Sequence, residues 1–471
     1  MELSRVNKKK IITVISVLCL LGLIILILAS ATLSKDTMYS NIYIEEVNIG
    51  GLSVPGAEEK LISYYDSKLA SFELQLKYGD KSWIIKPDHI DYTLNFQLAL
   101  DKAYEIGRYN SLIDSIKEIF TLRKDSIVIP LEASHNEKLL DEYIETVRTD
   151  LDCDPVNASI RRNNSGFEII DEVVGISVNH TSTKESILAS LGRLDSKEIE
   201  LPVDTVLPTV TREQLSSIDH IVSEFKTSFN PQIVGRVRNI EVAAGRVNGT
   251  LLMPTDIFSF NDITGLRSRA GGYHEAPVIV NGRLVPGVGG GVCQVSTTLY
   301  NAVIRSDLKI IERRNHSLPV SYVPLGQDAT VTDDYIDFKF QNNKSYPIYI
   351  ESYITADTLY TRIYGKKKDN IVIQLQSEIM EVISPKVEIK KDPNLVVGER
   401  KIIHEAKNGY RVDTYKVYFE SGVQIKREHI SRDYYAPVNG EIIEGVKKVD
   451  IPNNEEAEEV NIEEPESEAI D

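Results

Sequence analysis

The sequence predicts a multidomain α+β protein with an N-terminal transmembrane helix, tandem α+β units, a further α+β domain and a C-terminal all-β module. Three observations predict this class. At 471 residues the chain is too long for one ordinary domain. Strand-like and helix-like hydrophobic patterns alternate to about residue 370, and from about 377 to 448 only the strand-like pattern continues. A 42% share of hydrophobic residues is enough for buried cores.

The N-terminus carries a short basic segment, residues 1–10, followed by an uncharged apolar run at 11–33. A run of this length can span a bilayer as a helix. By the positive-inside rule, Lys8, Lys9 and Lys10 predict a cytoplasmic N-terminus. We therefore expect a single-pass protein of the cell membrane whose bulk lies outside, on the cell-wall side. A cleaved signal peptide is the competing interpretation, because "ASA" at 29–31 resembles a cleavage site.

Residues 34–205 contain two related α+β units, since "KSWIIKPDHIDYTLNFQLALDKA" and "SGFEIIDEVVGISVNHTSTKESIL" share one order of strands, turn and helix. A domain at 206–370 follows, and then the β module at 377–448. The final stretch, 449–471, has ten acidic residues and no Lys or Arg, which predicts a disordered tail. No basic stripe interleaved with aromatic residues occurs, so nucleic acid is not an expected partner.

The stretch "GRLVPGVGGGVCQVSTTLYNAV" places Cys293 directly after Gly289, Gly290 and Gly291, at the start of a helical pattern. Helix N-termini favour thiolate, and glycines allow a substrate to approach while their amides can line an oxyanion hole. This pattern predicts Cys293 as a nucleophile. Cys153 lies between two aspartates, which disfavour its thiolate. The alternative for Cys293 is a disulfide with Cys153.

A cysteine nucleophile needs a base and an orienting group. His316, in a polar loop, is the candidate base, and Asp328 is the candidate orienter of its ring. Arg313 and Arg314 are expected to add positive potential near the thiolate. The alternatives are His274 for the base and Asp333, Asp334 and Asp337 for the orienter. No CxxC, HxxxH or HExxH motif occurs, so we expect no zinc site and no cofactor.

These residues lie in motifs, "GGGVCQVSTTLYNA" and "NHSLPVSYVPLGQDATV", through which the chain from about 225 to 345 resembles a VanW domain. The two preceding units resemble the peptidoglycan-binding domain that precedes VanW or L,D-transpeptidase domains in Gram-positive bacteria. The module at 377–448 resembles a G5 domain, with the central Gly-x-x-Gly reduced to "KNGY". The resemblance implies Cys293 as the nucleophile of a non-YkuD L,D-transpeptidase. His274 departs from the family pattern, which favours His316 as the base.

The leading hypothesis is therefore an extracytoplasmic, cysteine-dependent L,D-transpeptidase. It would act on peptidoglycan stem peptides and form 3-3 cross-links through a Cys293 thioester. The alternative is a non-catalytic, peptidoglycan-binding structural protein of the wall, in which Cys293 is a packing residue. A cysteine peptidase or amidase of the NlpC/P60 kind ranks last, because that class places its histidine further downstream and lacks this glycine run.

Overall fold

The computed structural model describes residues 8, 10–23, 35–108, 111–280, 283–366 and 370–448. The chain divides into two compact units. Unit 1 is Met1–Val156 with Val173–Thr209, and unit 2 is Asn157–Glu172 with Val210–Asp471. A short insertion in the first unit's sequence is therefore part of the second unit's fold.

The helices, in chain order, are α1 (10–23), α2 (Val54–Ser71), α3 (Phe96–Glu105), α4 (Leu112–Thr121), α5 (Glu137–Leu151), α6 (His180–Arg193), α7 (Arg212–Ser216), α8 (Val234–Val247), α9 (Phe260–Thr264) and α10 (Val292–Arg305). The strands up to residue 206 are β1 (Ile42–Ile44), β2 (Val47–Asn48), β3 (Leu74–Tyr78), β4 (Lys81–Ile85), β5 (Thr93–Leu94), β6 (Ile127–Ile129), β7 (Ala133–Ser134), β8 (Ser159–Asn163), β9 (Gly166–Ile170), β10 (Gly175–Val178), β11 (Glu198–Glu200) and β12 (Val203–Val206). The later strands are β13 (His220–Ser228), β14 (Thr250–Leu252), β15 (Ile257–Ser259), β16 (Glu275–Val280), β17 (Arg283–Val288), β18 (Lys309–Glu312), β19 (Lys339–Gln341), β20 (Ile348–Thr355), β21 (Thr358–Gly365), β22 (Ile371–Ile383), β23 (Val387–Val396), β24 (Arg400–His404), β25 (Gly409–Glu420), β26 (Val423–Tyr435) and β27 (Gly440–Lys447).

The predicted transmembrane helix at 11–33 is wrong. Helix α1 is described over 10–23. Within the described ranges, no helix is both long enough and apolar enough to cross a membrane. The remainder of the predicted span, 24–33, and the predicted acidic tail, 449–471, lie outside the described residues.

Unit 1 is an α+β fold whose strands pair across long stretches of sequence. β1 pairs in parallel with β6, and β3 pairs in parallel with β11. Asparagine side chains start three of its helices, where Asn95, Asn136 and Asn179 each accept the backbone N–H three residues later. The β3–β11 pairing joins a strand that precedes the first repeat-like stretch to a strand that follows the second.

Unit 2 is built around α10, which is buried along almost its whole length. The helix packs with α8 against an antiparallel sheet of order β13-β21-β20-β14. Beside it lie the β15-β19-β18 sheet and the β16–β17 hairpin, which leads directly into α10. The β8–β9 hairpin joins this unit through Phe167, whose ring packs edge-on against Tyr349 and Tyr364.

The C-terminal part of unit 2 is all β, as the sequence predicts. It contains two three-stranded sheets of order β22-β25-β26 and β23-β27-β24. The first sheet packs on the α10 domain: Leu375 joins its core, and Lys416 Nζ and the Tyr418 hydroxyl donate to Asp307 at 2.8 and 3.0 Å. The end of β26 contacts the loop between β18 and β19, where the Tyr435 hydroxyl donates to Asp328.

Candidate active site

The glycine run forms a tight entry into α10. Gly289 and Gly291 have φ of +90° and +109°, a left-handed backbone that side chains rarely adopt. Gly290 lacks this constraint on φ, but a Cβ there would lie 2.5 Å from the Pro277 carbonyl oxygen. The local backbone and its neighbours therefore explain the three glycines directly before the cysteine.

Cys293 is the second residue of α10 and is partly buried. Its thiol donates to the Val331 carbonyl oxygen at 3.5 Å and lies 3.7 Å from Thr330 Oγ1. Burial raises the pKa of Cys293, but the hydrogen bond and charge of His316 outweigh it and lower the pKa to about 7. All three cysteines are free, so the alternative disulfide with Cys153 is not formed.

His316 is held by one carboxylate oxygen. Asp328 Oδ2 lies 2.6 Å from both the backbone nitrogen and Nδ1 of His316. Because Nδ1 is engaged, Nε2 is the ring nitrogen left for the thiol. Burial lowers the pKa of His316, but the hydrogen bonds of Asp328 and Cys293 raise it to about 9. Between about pH 7 and 9 the site can hold a thiolate beside an imidazolium.

Asp328 is buried, with 1% of its surface exposed. Burial raises the pKa of Asp328, and the hydrogen bond and charge of His316 lower it by more, so the pKa lies below its ordinary value. An ionised carboxylate at this position stabilises the imidazolium and fixes the tautomer of the neutral ring.

The two arginines before His316 point in different directions. The Arg313 side chain is 7% exposed and contacts Asp328 twice: its Nε donates to the carbonyl oxygen at 2.7 Å, and its Nη2 lies 3.5 Å from carboxylate oxygen Oδ1. Arg314 is exposed, and its carbonyl accepts the amide of Thr330 at 2.8 Å. Arg313 thus acts on the orienting carboxylate and not directly on the thiol.

The other candidates from the sequence have different roles. His274 is exposed, and its carbonyl accepts the Gly289 amide at 3.1 Å. The rival carboxylates are placed elsewhere: Asp333 pairs with Arg267 at 2.7 Å, Asp337 accepts from Ser259 at 2.6 Å, and Asp334 is exposed. The structure brings together Cys293, His316 and Asp328.

Two backbone amides beside the thiol are suited to an oxyanion. Within the described ranges, the N–H groups of Gly290 and Gly291 have no hydrogen-bond partner, whereas the Gly289 amide is used by His274. Asn239 Nδ2 donates to the Gly290 carbonyl oxygen at 2.9 Å. Because C=O and N–H of a trans peptide point in opposite directions, this bond fixes the direction of the Gly291 N–H.

The sequence analysis did not identify four residues of the site. Arg236 on α8 donates to Gln294 Oε1 at 2.8 Å beside the start of α10. Burial and the nearby charge of Cys293 raise the pKa of Tyr322, which keeps its hydroxyl protonated. Tyr322 lies within "NHSLPVSYVPLGQDATV", so the motif itself was a signal for it. Asp433 and Tyr435 come from the C-terminal β region, and no local pattern marks them.

Family models match three parts of the chain. Residues 235–364 match "VanW like protein", residues 83–200 match a candidate peptidoglycan binding domain, and residues 376–447 match a G5 domain. These matches confirm the resemblance found in the sequence. The first covers Cys293, His316 and Asp328, and the third covers Asp433 and Tyr435.

Two curated proteins and a solved domain are similar to parts of this chain. The chain is 33% identical over 252 residues to the uncharacterized protein YoaR of Bacillus subtilis, covering 53% of this chain and 82% of YoaR. It is 26% identical over 153 residues to the vancomycin B-type resistance protein VanW of Enterococcus faecalis, covering 31% of this chain and 56% of that protein. The solved G5 domain of IgA1 protease is 23% identical over 17% of this chain and 96% of that domain, with a TM-score of 0.13, too low to support a conclusion. On the match to YoaR and the VanW model over the site, the chain belongs to the cell-wall-associated VanW-like family, with a peptidoglycan-binding and a G5 domain.

Proposed function

We propose that this protein is an L,D-transpeptidase that cross-links peptidoglycan on the wall side of the membrane. The observation that carries the proposal is the buried chain of contacts from Asp328 to His316 to Cys293. Asp328 Oδ2 holds His316 Nδ1 at 2.6 Å, and His316 lowers the pKa of the thiol to about 7 despite its burial. A positioned thiolate, a base and an orienter are the components of cysteine acyl transfer.

In the first half-reaction, the Cys293 thiolate attacks the carbonyl carbon at the third residue of a donor tetrapeptide stem. The carbonyl oxygen becomes an oxyanion that accepts hydrogen bonds from the Gly290 and Gly291 amides. When the intermediate collapses, the C–N bond to the terminal D-alanine breaks. His316 gives its proton to the departing amine, so free D-alanine leaves and a thioester to Cys293 remains.

In the second half-reaction, the side-chain amine of the third residue of an acceptor stem attacks the thioester carbonyl. The now neutral His316 accepts a proton from that amine. The C–S bond breaks, the thiolate returns and a 3-3 cross-link forms. The net reaction joins two stems and releases one D-alanine.

Arg236 is suited to the donor stem. One of its guanidinium nitrogens bonds Gln294, and no carboxylate lies within ion-pair distance of it in the part of the chain that the structure describes. The donor's terminal D-alanine supplies a carboxylate next to the scissile bond. We assign Arg236 to that group, because charge-assisted bonds between guanidinium and carboxylate give both affinity and orientation.

The domain matches support the substrate class. A peptidoglycan binding domain would hold the catalytic domain at its polymeric substrate, which raises the local concentration of stems. The peptidoglycan-binding match is equally compatible with the second candidate, a wall-binding protein without catalysis, because none of the three family descriptions names a catalytic activity. A wall-binding protein without catalysis does not account for the lowered pKa of the Cys293 thiol.

The test is intact-protein mass spectrometry after mixing the purified protein with disaccharide-tetrapeptide. We expect an added mass equal to the donor minus D-alanine, located on Cys293 and absent from Cys293→Ala. Lack of this adduct, with binding of the muropeptide retained, would favour the wall-binding candidate.

A further inference from the structure

Asp328 has a second carboxylate oxygen that His316 does not use. A buried carboxylate oxygen without a donor is costly, so Oδ1 needs a partner of its own. That partner is Tyr435 at the end of β26, whose hydroxyl donates to Asp328 Oδ1 at 2.5 Å. The Gly326 amide in turn donates to the Tyr435 oxygen at 2.7 Å, which leaves the single hydroxyl proton directed at Asp328.

Tyr435 is suited to act only as a donor. It is 1% exposed, and burial together with the charge of Asp328 raises its pKa, so the hydroxyl stays protonated throughout the working range. With Oδ1 taken by Tyr435, the rotation of the carboxylate is fixed and Oδ2 faces His316.

Asp433, two residues earlier on β26, binds the side chain of Arg313. Both oxygens of Asp433 accept from Arg313 Nη1, at 2.6 and 2.7 Å. Arg313 Nη2 remains 3.5 Å from Asp328 Oδ1, a weak contact. Asp433 therefore holds the arginine that would otherwise compete with His316 for the Asp328 carboxylate.

Backbone contacts fasten the same strand end to the catalytic loop. The Ala436 amide donates to the Ser317 carbonyl oxygen at 2.9 Å, and Asn315 Nδ2 donates to the Tyr434 carbonyl oxygen at 2.9 Å. These contacts lie on both sides of His316 in sequence. The end of β26, in the region that matches a G5 domain, therefore hydrogen-bonds to the loop that carries His316.

We infer that the G5 domain completes the active site, with Tyr435 and Asp433 as positioning residues that hold Asp328 in the orientation His316 requires. The inference rests on the proposed function and deepens it, because it assigns to a second domain part of the machinery of the first. The charged and titratable groups that face Asp328 are His316, Arg313, Tyr435, Asp433, Tyr322 and the Tyr300 ring beneath Arg313.

The test is titration of the His316 ring by NMR in full-length protein with labelled histidine, assigned with His316→Gln. In Tyr435→Phe, Oδ1 loses its donor, the carboxylate turns toward Arg313, and the bond to Nδ1 is lost. We expect the His316 midpoint to fall by one pH unit or more. Tyr434→Phe is the matched control, because Tyr434 is 48% exposed and contacts the loop only through its backbone. Its midpoint should equal that of the unaltered protein.

An unchanged midpoint in a folded Tyr435→Phe protein overturns the inference. Asp433→Asn is the second variant if Tyr435→Phe does not fold; it frees Arg313 to draw Asp328 away, so the midpoint should again fall. The titration needs no turnover. If the His316 midpoint shifts but no thioester forms, the proposed function is wrong and the positioning role stands. If a thioester forms but the midpoints do not shift, the proposed function stands and the positioning role is wrong.

Discussion

Asp328 Oδ2 lies 2.6 Å from both the backbone nitrogen and Nδ1 of His316. One oxygen atom therefore fixes the loop conformation and the ring orientation together. The hydrogen bond and charge of His316 lower the pKa of the Cys293 thiol. The predictions below test separate parts of this arrangement.

The first prediction concerns pH. The pKa of Cys293 is lowered to about 7 and that of His316 is raised to about 9, so the thiolate forms as pH rises through 7 and the imidazolium is lost as pH rises through 9. Acylation needs both, and we expect kcat/KM to rise, level and fall across this window. Steady-state rates from pH 5 to 10.5 check it. A single rise near the ordinary thiol value of about 8.5, with no falling limb, would contradict the ion pair.

The second prediction concerns the orienter. Asp328→Asn cannot supply a negative charge to the imidazolium, so it should reduce kcat by about 10²- to 10⁴-fold and raise the pKa for alkylation of Cys293. Iodoacetamide rates against pH and single-turnover kinetics measure the two effects. Asp334→Asn is the control, because Asp334 is exposed and should leave both unchanged. If Asp328→Asn and Asp334→Asn have the same kcat and the same pKa for alkylation, Asp328 is not the orienting residue.

The third prediction concerns the glycine entry. Alanine at Gly291 must adopt φ of +109° and would place its Cβ 3.0 Å from Arg236 Cγ. We expect Gly291→Ala to reduce the free energy of unfolding by about 1–3 kcal/mol. Gly245→Ala, on helix α8 with open space around it, should instead add about 0.5–1 kcal/mol. Pulse proteolysis in urea compares them, and equal effects would refute the backbone argument.

The fourth prediction concerns substrate recognition. Arg236→Gln removes the charge assigned to the donor's carboxylate, so KM for tetrapeptide should rise about ten- to hundredfold. A donor with its terminal carboxylate amidated should show little difference between the two proteins. Arg238→Gln is the control, because Arg238 on the same helix is exposed and pairs with Glu241 at 2.6 Å. If the amidated donor also loses affinity in Arg236→Gln, the assignment is wrong.

Local patterns in the sequence predicted the parts of the site that depend on local structure. The glycines and the helix start at Cys293 are neighbours in sequence, and His316 and Asp328 lie on one loop. Tyr435 lies 107 residues from Asp328 and Asp433 lies 120 residues from Arg313, so only the docked β26 brings them there. Both occur in an ordinary alternating strand, which gave no reason to single them out.

The fold shows the same division between local and long-range information. Alternation predicted the C-terminal β region, and the α+β character of the rest was evident from hydrophobic spacing. The sequence predicts two related units at 34–205, but it does not predict the parallel β3–β11 pairing, because parallel pairing has no local sequence signature. The transmembrane helix was inferred from apolar length, and among the described residues no helix is long and apolar enough to cross a membrane.

The central claim is that Cys293 joins two stems with loss of D-alanine. Mass spectrometry of disaccharide-tetrapeptide incubated with the purified protein, beside Cys293→Ala, tests it most directly. The account predicts a dimer lighter than two monomers by one free alanine, containing a 3-3 cross-link and absent from the variant. Unchanged monomer in both reactions, with the muropeptide still bound, would contradict the account and leave a wall-binding protein.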